Sequence, residues 1–186
     1  KATASSVACT AGAGAIDLVS VTASADTVSQ GQTTAMDTVL QVVLIFRNLG
    51  DGQITNVDTP LLRFADTIAD RTAEYAVTMT GADVVFPDTV GVGTVVSCTF
   101  AVAVSGSATL GYITVDGSVD GDISGGAATT SDTQAAAADS FLVQAPGVIT
   151  NASITSSADT ALTNSGTDTV AISVVVEGSL MPLTVN

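Results

Sequence analysis

The sequence predicts an all-β sandwich, and three observations carry that expectation. Only 12% of its 186 residues are charged, so its polarity comes from Thr, Ser, Asp and Gly, which suit strands and turns better than solvated helix faces. Apolar residues alternate with period two in several short segments, as in strands with one buried face. Clusters such as Gly81-Ala82-Asp83, Pro87-Asp88 and Gly121-Asp122 punctuate the gaps between those segments.

Residues 16–23 are the first expected strand. Residues 39–46 are apolar on both faces and rich in branched side chains, which predicts a central strand covered on both sides; Asn48-Leu49-Gly50-Asp51-Gly52 then ends it in a turn. Residues 54–64 and 72–80 are further strands, with 65–76 a competing short helix or turn. Alternation is clearest over 95–104, where Val96, Cys98, Phe100, Val102 and Val104 share one face. In 110–119, Ile113, Val115 and Val119 are expected to point inward. The Ala-rich stretch 134–139 reads as loop.

Four Lys or Arg against eighteen Asp or Glu give a net charge of −14, and there is no histidine. Ser-His-Asp and Cys-His catalysis and imidazole metal sites are thereby excluded. Aromatic residues make up 4%, leaving few platforms on which paired carboxylates could process a sugar, so no enzyme is expected. A polyanion repels phosphate backbones and anionic lipid, which argues against nucleic acid or a membrane surface as partner. The longest nearly apolar run, 39–46, is far short of the roughly 18 residues that span a bilayer. A start at Lys1 rather than Met reads as a chain processed from a leader.

Cys9 and Cys98 are too far apart for a CxxC motif and are expected to form one disulfide, within a subunit or between neighbours; the alternative is two unpaired buried thiols. Asp116-Gly117-Ser118-Val119-Asp120-Gly121-Asp122 resembles the first half of a calcium loop, with Asp116, Asp120 and Asp122 as candidate ligands. Ala127 stands where the bidentate Glu belongs, so calcium is a weak expectation beside that of a solvated acidic turn. Asn151-Ala152-Ser153 is an N-glycosylation sequon. Gly12-Ala13-Gly14 and Gly91-Val92-Gly93 lack the rest of a phosphate-binding fingerprint and read as flexible turns.

Ser20-Val21-Thr22-Ala23-Ser24-Ala25-Asp26-Thr27 is echoed at an offset of 133 by Ser153-Ile154-Thr155-Ser156-Ser157-Ala158-Asp159-Thr160, and the echo continues loosely, Asp37-Thr38-Val39 corresponding to Asp168-Thr169-Val170. The expected organisation is an N-terminal arm, 1–15, a sandwich, 16–145, and the first strands of a second copy, 146–186. Two strands cannot bury their own apolar faces. Val170, Ile172, Val174 and Val176 form one such face, and Met181, Leu183 and Val185 another.

The run from Ser24 to Thr33, followed by a branched strand closing at Arg47-Asn48-Leu49-Gly50-Asp51, resembles the opening of bacterial and archaeal extracellular immunoglobulin-like repeats of the CARDB-like kind. Val115-Asp116-Gly117-Ser118 and Asp139-Ser140-Phe141-Leu142-Val143-Gln144-Ala145-Pro146 are similar to the closing strands and linker of such repeats. The resemblance implies an immunoglobulin-like sandwich with a secreted, non-catalytic, cell-surface role. Together these features lead to the expectation of a pilus-like filament subunit. Its C-terminal strands, or second its N-terminal arm, would complete the sheet of another copy head to tail. The rivals are an adhesion or binding module from a longer repeat protein and an acidic surface-layer component.

Overall fold

Which residues face inward follows from the alternation, and the inward residues define two sheets. The computed structural model describes residues 12–33, 39–123, 128–156 and 171–179, and the chain divides into units Lys1–Gln144 and Ala145–Asn186. The first unit is an all-β sandwich of immunoglobulin-like kind. Its strands are β1 (Ile16–Ala23), β2 (Thr27–Ser29), β3 (Leu40–Asn48), β4 (Ile54–Val57), β5 (Leu61–Ala65), β6 (Tyr75–Ala82), β7 (Asp88–Val90), β8 (Val95–Val104), β9 (Gly111–Ile123), β10 (Thr129–Asp132) and β11 (Asp139–Gln144).

One sheet runs β1-β3-β8-β6, antiparallel throughout; the other runs β2-β11-β9-β4-β7, with β5 and β10 also paired to β9. β9 is the spine of the second sheet. Thr114 pairs with both Ser140 and Ala65, and Asp122 with both Thr129 and Thr55, so β11 and β10 share one of its edges and β5 and β4 the other. Leu18, Leu44, Phe46, Val96, Phe100 and Val102 of the first sheet belong to one core with Phe64, Ile113, Val115 and Phe141 of the second. Tyr75 stacks on Phe64 at 4.3 Å between ring centroids, and Phe141 meets both rings edge-on. A Cβ on Gly117 would stand 2.5 Å from Leu44 Cδ1, so β9 is bare there because the facing sheet presses against it.

The end of β3 is organised by Asn48, a fully buried polar residue. Its Oδ1 accepts from Ala15 N (3.1 Å) and Gly50 N (2.9 Å), while its Nδ2 donates to Gly52 O (2.8 Å) and Val90 O (3.1 Å). Both lone pairs and both amide hydrogens are used, which is what makes a carboxamide tolerable in a core. Around it, Leu49 N donates to Ala15 O and Gly52 N to Ala13 O. A Cβ at Gly50 or Gly52 would strike the main chain of residues 12–15. The glycines at 12 and 14 therefore serve close backbone approach, a correction to their reading as flexible turns. The Gly91-Val92-Gly93 segment is a turn, with Gly93 at φ +71 and Thr94 N bonded to Gly91 O.

The outer edge of β1 is covered by the segment before β11. Ile16 N donates to Thr130 Oγ1, Leu18 N to Asp132 Oδ2, Val21 N to Ala137 O and Ala23 N to Asp139 Oδ2. Outward amides thus find acceptors, most of them side chains, between β10 and the first residue of β11, which blunts the edge.

The second unit contains β12 (Val148–Ser156) and β13 (Ile172–Ser179), an antiparallel pair. Its register repeats that of β1 with β3. Val21 opposes Leu44 and Ala23 opposes Val42; at the offset of 133, Ile154 opposes Val174 and Ser156 opposes Ile172. Each first strand carries one bulge, between Leu18 and Ser20 in β1 and between Ile149 and Asn151 in β12. This register matches Ile172 to inward-facing Val42, one residue away from the match that aligning Asp168 with Asp37 gives. Since a one-residue slip exchanges the faces of a strand, the correction is what places Ile172 and Val174 on the core-equivalent face.

Other differences have local causes. The expected strand 54–64 is broken into β4 and β5 around Pro60, which has no amide to donate. Between Ala65 and Tyr75 the chain makes an Asp66 turn and a 3₁₀ turn, Thr72–Glu74. Asp66 Oδ1 accepts from Ile68 and Ala69 N, and its Oδ2 binds Arg71. Those bonds, the Ala69 amide first, hold the Asp66 carboxyl below its usual range. In β3, Val43 and Ile45 are only partly covered, so the strand is central within its sheet but buried on one face.

Replacing Asn48 with Ala should lower the unfolding free energy by at least about 3 kcal/mol, measured by urea denaturation, because four main-chain groups lose their partner at once. The buried Tyr75 hydroxyl has no hydrogen-bond partner among the described residues. Tyr75→Phe should therefore leave the midpoint unchanged or raise it.

Candidate functional site

The chemistry-bearing residues fall in four places. Asp116, Asp120 and Asp122 all lie in β9, on the face opposite inward Val115, Val119 and Gly121. A strand spaces them along its length instead of wrapping them around an ion as a loop would. Asp116 Oδ1 accepts from Gly117 N and Ala135 N, both at 2.8 Å, and Asp122 Oδ2 accepts from Asn56 Nδ2 at 2.9 Å. The expected loop is thus a strand, and the three carboxylates are not brought together. No group of three or more metal-ligating side chains is positioned around a common point among the described residues.

Cys98 is a free, fully buried thiol in β8, opposite Leu44 and Ala82. Among the described residues Cys98 bonds no second cysteine; Cys9, the other half of the expected bridge, lies outside them. Residues 12–15 are held by Asn48 and main-chain bonds. Burial first, then the nearby charge of Asp83, pushes the Cys98 pKa up to about 11, which makes the thiol a poor nucleophile.

A hollow of about 300 Å³ opens beside β5 and β9, lined by Arg63, Asp70, Thr114, Asp116 and Thr133 among others. It offers hydroxyl and carboxylate oxygens and one guanidinium. Arg47 is paired with Asp17, and Arg71 with Asp66 and Glu74, whereas Arg63 makes no ion pair among the described residues. Sequence patterns did not single out this hollow, because its residues come from three separate segments.

The fourth place is the β12–β13 pair. Ile154, Ile172 and Val174 are 75%, 68% and 60% exposed, whereas their register equivalents Val21, Val42 and Leu44 are at most 1% exposed. Val176 and Asn151 lie in the same pair, opposite Ala152 and Glu177 respectively. The sequon thus falls in a strand. Val170, Met181, Leu183 and Val185 lie outside the described residues. No helix among the described residues is long and apolar enough to cross a membrane.

Comparison with protein-family models and with curated proteins gives no match to this chain.

The Cys98 pKa lies above its ordinary value, so the thiol's contribution to stability is complete below about pH 9 and is lost as pH rises through about 11. Tyr75, raised by burial to about 12, adds a further loss above pH 10. The unfolding free energy should fall by on the order of 2 kcal/mol across the first window, and Cys98→Ala should remove that slope. In a Cys9→Ser background, a thiol reagent should label Cys98 only after denaturant is added.

Proposed function

We propose that the chain is a non-catalytic structural subunit of an extracellular, cell-surface filament, assembled head to tail by β-strand donation between copies. The observation that carries this reading is the β12–β13 pair, with Ile154, Ile172 and Val174 exposed where the same register in the sandwich is buried. Two strands in water are marginal at best, so this face gains most from a partner. Strand addition would supply main-chain hydrogen bonds for affinity and alternating side chains for register. A donor on one unit and an acceptor on another make a heterologous contact that propagates. The resemblance to CARDB-like repeats supports the extracellular setting.

A second reading, an adhesion or binding module of a longer tandem-repeat surface protein, is favoured by the shared register of β12–β13 and β1–β3. There the hairpin would open a second sandwich completed by its own polypeptide.

Under the filament reading, native material shows polymers in negative-stain images. Val174→Asp should abolish them while leaving the sandwich's unfolding midpoint unchanged, because a carboxylate cannot be buried at a strand interface without a partner. The second reading instead expects a monomer at all concentrations, with the hairpin cut by protease ahead of the sandwich.

A further inference from the structure

We propose that the acceptor for the hairpin is β6 of a second copy, with the partner's β13 adding beside it to extend the four-stranded sheet. The inference rests on the strand-donation reading and specifies its other half.

β6 ends its sheet, and its strand neighbour among the described residues is β8 alone. The other ends of the two sheets offer less to an incoming strand. β1 has its amides taken by Thr130, Asp132, Ala137 and Asp139. β2 and β7, which end the second sheet, are three residues each. β6 offers eight residues, the same length as β13. After Tyr75 every one of its positions is exposed, Val77 and Met79 included.

Charge points the same way. Two copies at −14 each repel, so they can meet closely only where carboxylates are absent. Ala76-Val77-Thr78-Met79-Thr80-Gly81-Ala82 carries no charge, and neither does Ile172-Ser173-Val174-Val175-Val176. Edge strands left open to water ordinarily hold a Lys, a Pro or an inward charge against such pairing. β6 has none of these, and its one irregularity, between Met79 and Gly81, leaves the Tyr75–Met79 stretch regular. Pairing of two uncharged edges is also predicted to tighten with added salt, which screens the repulsion between the bodies.

The test compares wild type, Ala76→Lys/Thr78→Lys and Val174→Asp by sedimentation velocity at low and high salt. The two lysines replace exposed residues and lower the net negative charge, so added repulsion cannot explain a loss of association. The expected result is salt-strengthened association of the wild type and a loss of roughly tenfold or more in both variants. If the lysine variant associates like wild type while Val174→Asp does not, β6 is not the acceptor and strand donation stands. If the lysine variant fails and Val174→Asp associates, β6 pairs with something other than β13 and the proposal falls. A wild type that stays monomeric throughout sinks both this pairing and the strand-donation reading on which it rests. Should the lysine variant not fold, separate pools of Val77→Cys and Val174→Cys decide: a mixed disulfide dimer enriched over either pool alone supports the pairing, and no enrichment overturns it.

Discussion

The sandwich depends on a single carboxamide at the end of β3. Asn48 binds the residues leading into β1, the turn after β3 and the end of β7, and its main chain is bonded to Gly93 and Thr94. Hydrophobic burial alone would collapse this rim without choosing among backbone arrangements, because apolar contact has no direction. Four directed bonds inside a low-dielectric site do choose, since any alternative leaves polar groups stranded. The surrounding glycines follow from that choice: main chain lies directly on main chain around Asn48, and side chains at 50 and 52 would hold the segments apart.

The same economy of side chains shapes the two edges of the first sheet. On β1, two aspartates, a threonine and one carbonyl satisfy the outward amides, so Asp132 and Asp139 act as edge caps. Asp116 is used similarly, bonding the amides of Gly117 and Ala135 and so tying β9 to the segment before β11. On β6 nothing comparable occurs among the described residues. The contrast between a covered edge and an uncovered one within a single sheet gives the surface a polarity that net charge alone would not reveal.

Much of this architecture is legible in the sequence because period-two alternation survives wherever one face is buried. β8 has the bounds the pattern predicts, 95–104, and its five inward residues are those the alternation names. β2, β7 and β10 are three or four residues each, too short for a period to show, and they exist because neighbouring strands supply the hydrogen bonds. The role of Asn48 was hidden for another reason. A buried Asn and a turn Asn look alike in sequence, and Asn48-Leu49-Gly50 satisfies the turn pattern while its side chain reaches residue 90. The hollow beside Arg63 and the thiol state of Cys98 likewise depend on residues distant along the chain. The hairpin was visible as a repeat, but its facing was not, since the offset changes between its strands and only pairing fixes it.

Self-association of such a chain, where it occurs, has few means available. Four cationic residues against eighteen acidic ones leave little material for ion pairs between copies, and two of the three arginines are already engaged within the sandwich. Exposed ion pairs would add little in any case. Main-chain hydrogen bonds are different: they carry no net charge, every residue of an exposed strand except proline supplies them, and they are insensitive to the sign of the surrounding field. A protein rich in carboxylates and poor in cations is therefore constrained toward contacts made by backbone and small apolar side chains. In the proposed assembly, the uncharged lengths of β6 and β13 are what supply them.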